Sequence, residues 1–367
     1  MRIGIDIRAL MEGKTTGVEV YIRGLLRAIF LADRVNQYVL FANSFTDVRS
    51  KVQLFSASNV RYKISRVPNK LYLSSQKLFG FPGLETMTGK LDVFFSPHWR
   101  TTALRRDLPS VVTFHDLSFE LVPEFFTIRQ RYWHRFMNFR KAASLATRII
   151  AVSESTKKDL RDLYAVDEEK ITVVYPGPGL VAERGKEGTD SSKDFFLCFA
   201  TQEPRKNLDG VLAAYELYRK GSFSPRRLVI AGSRGWISRL PVPPNLRPYV
   251  EVRNDVSEQE KTRLFHGAFA LIFASFYEGF GFPALEAARN GLPIMMSRVA
   301  SLQEIGRDFG IFINPFRPAQ IAQGMLGLEN DSSLYEDYAR KARRAAESFS
   351  WERAALQTLK IFSEVAR

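Results

Sequence analysis

Short, continuously apolar runs alternate with stretches of helical periodicity along almost the whole chain, and this alternation restricts the fold most. Continuous apolar runs are typical of parallel strands that helices cover on both faces. The runs in the first half are RIGIDI (2–7), YVLFA (38–42), VRYKI (60–64), LDVFFS (91–96), SVVTFHDL (110–117), RIIAVS (148–153) and ITVVY (171–175). Those in the second half are FFLCFA (195–200), RRLVIAG (226–232), VEVRNDV (250–256), ALIFAS (270–275), LPIMMS (292–297) and GIFINP (310–315). The pattern predicts an α/β fold with right-handed crossovers.

One segment without apolar periodicity, PGPGLVAERGKEGTDSSKD (176–194), separates the two sets of runs. Its Gly, Pro, Ser and charged residues are typical of a connection between domains. A chain of 367 residues is also too long for one ordinary core. We therefore expect two doubly wound domains, residues 1–180 and 181–349.

The last segment, residues 350–367, has the pattern of an amphipathic helix, and Ser350 is placed to cap its N-terminus. Four residues approximate its apolar face: Ala354, Leu356, Leu359 and Phe362. We expect this face to be buried.

Composition excludes several classes of protein. Hydrophobic residues make up 45% of the chain and charged residues 25%, as in a globular domain rather than a disordered one. There is no run of about 18 apolar residues to cross a membrane, and the N-terminus lacks the pattern of a signal peptide. The one cysteine, Cys198, excludes a disulfide within the chain and is expected to be a core thiol. These features predict a cytosolic protein.

The net charge of +14 is unevenly distributed. Residues 1–180 hold 27 basic and 17 acidic residues, whereas residues 181–367 hold 26 and 22. A basic first half favours an anionic partner, which leaves a lipid surface, a nucleic acid or a phosphorylated substrate. A nucleic acid fits worst, because the basic residues are scattered and no recognisable binding module is present.

The turn after the strand FFLCFA carries two cations, Arg205 and Lys206, and a helical pattern follows with Asn207 or Asp209 near its start. In doubly wound sheets, ligands bind at the carboxyl ends of the strands. Two cations beside the free N–H groups of a helix start make an anion site. A solvated basic turn explains the same residues equally well.

The segment FYEGFGFPALEAARNGLPI (276–294) places two carboxylates around a glycine turn. Glu278 follows the strand ALIFAS, and Gly279 and Gly281 allow a ligand to approach the backbone closely. The helix after Gly281 directs its N-terminus at that ligand, for which a phosphate is the natural guest. Glu286 lies about one turn into the helix, and carboxylates suit sugar and ribose hydroxyls. A first-turn glutamate favoured by the helix dipole is the plainer alternative for Glu286.

Two loops of the first half add candidates. His115 and Asp116 end the strand SVVTFHDL, where a histidine is placed for hydrogen bonding or proton transfer, although a satisfied surface histidine is equally compatible. Thr15, Thr16 and Gly17 precede a helix, and Gly17 would let a phosphate or sugar approach.

Together these segments resemble the retaining nucleotide-sugar glycosyltransferases of family 4, the glycosyl transferases group 1, which have the GT-B fold. The resemblance covers nearly the whole chain. It rests on TTGVEVYIRGLL, VTFHDLSFE, IIAVSESTKKDL, VVYPGPG, EPRKNLDGVLAAYE, EGFGFPALEAARNGLPI and FSWERAA. It implies two Rossmann-like domains facing each other across a cleft, with residues 350–367 crossing back onto the first domain.

The resemblance also implies roles for single residues. Arg205 and Lys206 would bind the donor diphosphate, Glu278 the hydroxyls of the transferred sugar and Glu286 the nucleotide ribose. The other implied contacts to the donor come from Thr16, Gly17, Asp116, Gly279, Phe280, Gly281 and Phe282. His115 would contact the sugar or the acceptor near the reaction centre. No metal and no cofactor are implied, only the nucleotide-sugar substrate.

Three positions depart from the family pattern and affect the expected shape of the base and sugar pockets. Ala200–Thr201 stands where a glycine is usual, Gln303 replaces a proline, and VEVRNDV lacks the usual preceding glycine.

The HD turn, the TGV loop and the SLQE segment look most similar to mannosyltransferases of bacterial polysaccharide and O-antigen assembly. GDP-mannose is therefore the favoured donor, with a UDP-sugar as the alternative, and a glycan or lipid-linked oligosaccharide is the acceptor. An inactive GT-B scaffold subunit and a sugar-nucleotide epimerase are competing functions.

Residues 125–148, FFTIRQRYWHRFMNFRKAASLATR, mix basic and aromatic side chains. This mixture suits peripheral contact with an anionic membrane on its cytoplasmic face, or a lipid-diphosphate acceptor. A helix that buries its aromatics against the sheet is the alternative.

Overall fold

The computed structural model describes residues 1–12, 16–44, 55–81, 83–99, 102–179, 193–236 and 240–366. Thr15 and most of the segment 176–194 lie outside these residues. The chain forms two compact units, Met1–Gly177 with Ser350–Arg367, and Pro178–Phe349. We call them unit 1 and unit 2 and describe each by itself.

Unit 1 contains a parallel sheet with the strand order β3-β2-β1-β4-β5-β6-β7. Its strands are β1 (Arg2–Asp6), β2 (Gln37–Asn43), β3 (Val60–Ser65), β4 (Val93–Ser96), β5 (Ser110–Phe114), β6 (Arg148–Ala151) and β7 (Ile171–Val173). Its helices are α1 (Gly17–Ala32), α2 (Asn69–Phe79), α3 (Leu84–Thr88), α4 (Ser118–Leu121), α5 (Ile128–Met137), α6 (Phe139–Leu145) and α7 (Glu154–Tyr164). The strand β1 pairs with β2 on one side and with β4 on the other, so that Ile3 lies beside both Tyr38 and Val93. The strand order reverses direction at this point.

Unit 2 contains a second parallel sheet, with the order β10-β9-β8-β11-β12-β13. Its strands are β8 (Phe195–Phe199), β9 (Arg227–Gly232), β10 (Val250–Asn254), β11 (Ala268–Phe273), β12 (Ile294–Ser297) and β13 (Gly310–Ile313). Its helices are α8 (Leu208–Gly221), α9 (Glu258–Gly267), α10 (Phe282–Arg289), α11 (Ala300–Ile305), α12 (Pro318–Asn330) and α13 (Ser332–Ala346). The order reverses between β8 and β11, which makes their carboxyl ends the topological switch point of this sheet.

Each sheet is built from the apolar runs of the sequence: most strands end within their run, β2 and β3 extend one residue beyond theirs, and β11 begins two residues earlier. Every residue of β11 and of β12 is buried, as expected for parallel strands covered on both faces. The predicted α/β class and doubly wound topology are confirmed. Cys198 is a buried thiol in the core of unit 2, and burial raises its pKa to about 12.

The final helix, α14 (Trp351–Val365), belongs to unit 1 and packs against α1. Ser350 caps it by accepting hydrogen bonds from the backbone N–H groups of Glu352 and Arg353. Its buried side chains are Ala354, Ala355, Thr358, Ile361 and Phe362. The predicted apolar face was wrong at Leu356, which is 55% exposed. Leu356 follows the buried Ala354 by two residues, and two residues correspond to a rotation of about 200° around the helix axis, so its side chain lies on the opposite face.

Candidate active site

The charged residues of the two motifs in unit 2 meet at the switch point of its sheet. Arg205 and Lys206 lie in a 3₁₀ turn, Pro204–Lys206, between β8 and α8. Glu278 lies five residues past the end of β11, the neighbouring strand. Because parallel strands end at the same edge of the sheet, Glu278 contacts Lys206 and Arg205, although they lie 72 and 73 positions away in the sequence.

Glu278 is held by both cations. Its Oε1 accepts a hydrogen bond from Lys206 Nζ at 2.5 Å, and its Oε2 accepts one from Arg205 Nη1 at 3.3 Å. Glu278 is only 7% exposed. Burial alone would raise its pKa, but the charges of Lys206 and Arg205 outweigh burial and hold the pKa below its usual value. Glu278 is therefore ionised at neutral pH.

The guanidinium of Arg205 is fixed by two further oxygens. It donates to Glu203 Oε1 at 2.7 Å and to the Tyr277 carbonyl at 2.7 Å. The backbone carbonyl of Arg205 accepts from the Phe276 N–H at 2.9 Å. The loops after β8 and β11 are thus linked by backbone and side chain together, which orients the cations before any ligand arrives.

Asn207 ends the PRKN turn with a left-handed backbone, φ 56°, and begins α8. Its side chain does not cap that helix. It donates instead to the carbonyls of Ala274 and Pro315, at 3.1 and 2.7 Å. The buried amide therefore ties together the loops that follow β8, β11 and β13.

The glycine turn before α10 depends on the backbone conformation of Gly281. This residue has φ 114° and forms the N-cap of α10, with Pro283 in the first turn. A Cβ at Gly281 would lie 2.7 Å from Leu302 Cδ2. The hydroxyl of Ser301 holds the turn by donating to the carbonyls of Glu278 and Phe280, at 2.8 and 3.1 Å.

The aromatic residues of this turn shape its wall. Phe280 is buried, and its ring packs edge-on against that of Phe282, the first residue of α10. Gly279 lies between Glu278 and Phe280, on the segment held by Ser301.

Glu286 is deeply buried, 3% exposed, and is the fifth residue of α10. The interpretation as a first-turn glutamate favoured by the helix dipole is wrong, because the first turn of α10 contains no acidic residue. Its Oε1 accepts a hydrogen bond from Lys261 Nζ of α9 at 2.5 Å. Burial raises the pKa of Glu286 above its usual value, and the charge of Lys261 opposes this rise. A Cβ at Gly179 would lie only 1.7 Å from the same oxygen, so Gly179 permits the chain to pass directly over the carboxylate.

A cavity of ≈ 720 Å³ opens at the carboxyl ends of β8, β9 and β10. Gln202, Arg234 and Asn254 contribute polar groups to its lining, and Gln202 donates a hydrogen bond to Asn254. Residues 240–244 form an apolar part of the wall. Gln202 directly precedes Glu203, the partner of Arg205, so the cavity lies along the same sheet edge as the cations.

His115 of unit 1 follows β5 and contacts the end of β4. Its Nε2 lies 2.8 Å from the Pro97 carbonyl, and because a carbonyl only accepts, this nitrogen carries the proton. The Tyr21 ring of α1 packs edge-on against the imidazole at 4.7 Å. Burial lowers the pKa of His115. His115 is consequently neutral at pH 7, and its protonated Nε2 donates to the backbone carbonyl of Pro97.

The remaining unit 1 candidates lie at helix starts. Asp116 Oδ1 accepts from the N–H and the hydroxyl of Ser118, at 3.1 and 2.8 Å, and thereby shapes the start of α4. Thr16 caps α1 by accepting from the Glu19 N–H at 3.3 Å, and Gly17 is the first residue of that helix. Thr16 and Gly17 are exposed, and the helix that they begin, α1, contacts His115 through the Tyr21 ring.

Sequence reasoning missed three charged residues. Lys261 and Glu203 are the partners of Glu286 and Arg205. Arg8, two residues past β1, forms a buried ion pair with Asp6 at 2.6 Å and donates to Thr102 Oγ1 at 2.5 Å. Arg8 and Glu203 both follow strands at a switch point, and the rule that ligands bind at the carboxyl ends of strands could have identified them from the sequence. Nothing in the sequence pairs Lys261 with a residue 25 positions away.

The basic and aromatic stretch 125–148 folds mainly into α5 and α6, which are separated at Asn138 by a left-handed backbone with φ 54°. Phe139 packs against the core of unit 1. Tyr132, Trp133 and Phe136 of α5 instead remain 70%, 46% and 39% exposed. The interpretation that this segment buries its aromatics is wrong for these three.

Within the residues that the structure describes, no group of three or more His, Cys, Asp and Glu side chains is arranged to hold a metal ion. None of the helices described is both long and apolar enough to cross a membrane.

Two family models match the two halves of the chain. Glycosyltransferase Family 4 matches residues 15–178, and Glycosyl transferases group 1 matches residues 182–345. The chain belongs to the family 4 glycosyltransferases, the glycosyl transferases group 1. The predicted membership of family 4 and of the glycosyl transferases group 1 is therefore confirmed.

Curated relatives of this glycosyltransferase include two O-antigen enzymes. O-antigen chain mannosyltransferase B of Escherichia coli is 27% identical over 283 residues, which cover 73% of this chain and 72% of the relative. O-antigen chain mannosyltransferase RfbU of Salmonella typhimurium is 25% identical over 210 residues, 56% of each chain. The alignment thus spans little more than half of the Salmonella protein.

Among solved structures, HepE of Anabaena in complex with UDP and glucose is similar to this glycosyltransferase over 99% of this chain and 100% of that chain, with a TM-score of 0.72. At 17% sequence identity this similarity concerns the fold. The GT-B class of the glycosyltransferase, with two Rossmann-like units, agrees with the topology of its two sheets.

Proposed function

We propose that this glycosyltransferase moves a hexose from a nucleotide diphosphate donor to a glycan or lipid-linked saccharide, with retention of the anomeric configuration, in the assembly of a bacterial polysaccharide or O-antigen. The donor we favour is GDP-mannose. The observation that carries the proposal is the cluster of Arg205, Lys206 and Glu278 at the switch point of unit 2, where a doubly wound sheet binds its ligand.

The charges of this cluster suit the departure of a nucleoside diphosphate. Arg205 and Lys206 are oriented cations, and Glu203 and Glu278 balance them in the free protein. A bound diphosphate would take over part of this cation charge and release Glu278 Oε1 and Oε2 to accept sugar hydroxyls. Charge that develops on the leaving phosphate would then be stabilised by groups already in place.

The other contacts follow from the position of each residue. The amides of Gly281 and Phe282 at the start of α10 would face the phosphates, and Glu286 would accept from the ribose. The cavity along the ends of β8, β9 and β10 has a suitable volume for the nucleobase. Residues 181–349 would thus bind most of the donor. Residues 1–180 would serve the acceptor through His115, and their Thr16, Gly17 and Asp116 would add contacts to the donor.

Support for mannose comes from the relatives, since both O-antigen enzymes named above are mannosyltransferases. Similarity to HepE, described as a complex with UDP and glucose, keeps a UDP-sugar as the alternative donor. An inactive scaffold is disfavoured because Glu278, Arg205 and Lys206 are all present and in contact.

A thermal-shift panel of GDP, UDP, ADP and their sugar conjugates tests donor binding. We expect stabilisation by GDP and GDP-mannose above that by the other nucleotides. Preference for UDP would replace GDP-mannose by the UDP-sugar, and no shift with any nucleotide would contradict donor binding. Proton NMR of the product's anomeric signal tests retention, which an inverted linkage would refute.

A second proposal concerns where the acceptor is met. Tyr132, Trp133 and Phe136 form an exposed aromatic surface on α5, next to Arg129 and Arg135. Aromatic rings beside cations suit the interface of an anionic membrane, so we propose that unit 1 touches the cytoplasmic face of the membrane there. Flotation with phosphatidylglycerol vesicles should carry the wild type upward, and Trp133→Ser with Tyr132→Ser should stay at the bottom. Equal flotation of both proteins, or of neither, would contradict this proposal.

A further inference from the structure

The pair formed by Lys261 and Glu286 connects two helices of unit 2. Lys261 Nζ of α9 donates to Glu286 Oε1 of α10 at 2.5 Å, and the two side chains are 12% and 4% exposed. Lys261 Nζ also lies 5.4 Å from the centre of the Phe199 ring at the end of β8. The ammonium group therefore lies between the buried Glu286 carboxylate and an aromatic face, with the more exposed Glu258 carboxylate 3.9 Å away, in a place where few water molecules compete with it.

The two oxygens of Glu286 are unequal. Oε1 is occupied by Lys261 and covered by Gly179, whose Cβ, if it had one, would lie 1.7 Å away. Oε2 is buried and has no hydrogen-bond partner among the described residues. A buried carboxylate oxygen without a donor is costly, and a ligand hydroxyl would complete it.

Lys261 also favours the ionised form of Glu286. Burial raises the pKa of Glu286, and the neighbouring Lys261 charge counteracts it. A neutral carboxyl group would carry a proton on one oxygen and would compete with the ligand as a donor. An ionised carboxylate with one oxygen bound to Lys261 offers the other solely as an acceptor.

We propose that Lys261 is a positioning residue for nucleotide recognition: by holding Oε1 of Glu286, it presents Oε2 to a hydroxyl of the nucleotide ribose. This inference rests on the proposed function, since it takes a ribonucleotide to be the ligand of Glu286. It assigns Lys261 no contact with the nucleotide itself. Its action passes through Glu286 alone.

The test compares nucleotides that differ only in the ribose hydroxyls. Dissociation constants of GDP, UDP and their 2′,3′-dideoxy forms are measured by calorimetry for the wild type, Lys261→Met, Glu286→Gln and the double variant. The wild type should prefer the ribonucleotide over its dideoxy form by about 10- to 100-fold, the range for a hydrogen bond to a charged group. Lys261→Met and Glu286→Gln should each abolish most of this preference, and the double variant should be no worse than either.

The controls separate positioning from other roles. Lys261→Arg keeps the charge and should keep most of the preference, and Lys261→Gln replaces the Met variant if that variant does not fold. Equal weakening of ribo and dideoxy forms in Lys261→Met would indicate direct phosphate contact or loss of structure, and an unchanged preference would indicate no role. Either result overturns the positioning role while donor binding stands. If the wild type binds neither GDP nor UDP, the proposed function and the ribose assignment fail together.

Discussion

Replacement of Lys206 by methionine tests whether the cluster at the switch point acts on the leaving diphosphate or only supports the fold. Methionine keeps much of the side-chain length and removes the ammonium group, which lies 2.5 Å from Glu278 Oε1. The cost in free energy of unfolding depends on the partners that Glu278 keeps after Lys206 is replaced. Removing one partner of a buried pair costs about 3–5 kcal/mol. Because Arg205 stays 3.3 Å from Glu278 and still pairs with it, we expect a cost at or below the lower end of that range, about 2–3 kcal/mol.

The expected loss of activity is larger than this loss of stability can explain. Removal of one group that stabilises developing charge typically lowers kcat by about 10²- to 10³-fold. Urea unfolding measures the first quantity, and the initial rate of donor consumption at saturating donor and at a temperature where the variant stays folded measures the second.

The double variant Lys206→Met with Glu278→Gln separates the two effects. It removes both members of the pair, so the free energy of unfolding should recover most of what Lys206→Met lost. Activity should not recover, because neither the phosphate contact nor the sugar contact returns. Activity that rises together with stability, or near wild-type activity in Lys206→Met, would refute the reasoning.

Three further predictions concern single positions. Gly281→Ala should lower both stability and nucleotide affinity, measured by thermal unfolding with and without GDP, because φ 114° and a 2.7 Å contact leave no room for a methyl group. Gly179→Ala should displace Glu286 and weaken GDP binding in titration calorimetry at least tenfold, about 1.4 kcal/mol. The matched control Gly83→Ala, with no atom within 4 Å of the new methyl group, should bind GDP as the wild type does. Equal GDP binding by the two variants would contradict the contact between Gly179 and Glu286. The pKa of Glu278 is lowered in the folded protein, so its ionised form contributes stability that is present above the usual carboxyl pKa of 4.5 and is lost as the pH falls through the folded-state pKa. Glu278→Gln should therefore reduce the dependence of the free energy of unfolding on pH in the acidic range. An unchanged pH dependence would count against the ion pair.

The sheets could be predicted because strand formation in this fold follows from local pattern. A continuous apolar run of the sequence overlaps every strand of both sheets. The rule that ligands bind at the carboxyl ends of strands then singled out Arg205, Lys206 and Glu278 before any distance was known. Gly281 has φ 114°, a backbone conformation that glycine adopts without steric cost.

The partners of those residues could not be predicted, because side-chain pairing depends on how helices pack over the sheet. Lys261 of α9 reaches Glu286 of α10 through a side-chain hydrogen bond between two helices that no local sequence pattern relates. The depth of Glu286 was missed for the same reason. Leu356 was assigned to the buried face from its apolar character, although its direction along the helix points it to solvent.

Local hydrogen bonding also changed the interpretation of two residues. Asp116 was expected to contact the donor, and its carboxylate is used by Ser118 at the start of α4. Its role in donor binding stays a prediction. Asn207 was expected only near a helix start, yet its amide ties three loops together.

The central claim, that this glycosyltransferase transfers sugar from a nucleotide diphosphate at the Arg205–Lys206–Glu278 cluster, is tested most directly by release of the nucleotide. GDP-mannose and UDP-glucose are each incubated with the protein and a lipid-linked saccharide fraction, and the GDP or UDP formed is quantified by chromatography. The wild type should release nucleotide from one of the two donors at least a hundredfold faster than Lys206→Met, in line with the loss of about 10²–10³ expected for such a group. Absence of release from both donors, or equal release by wild type and variant, would contradict the claim.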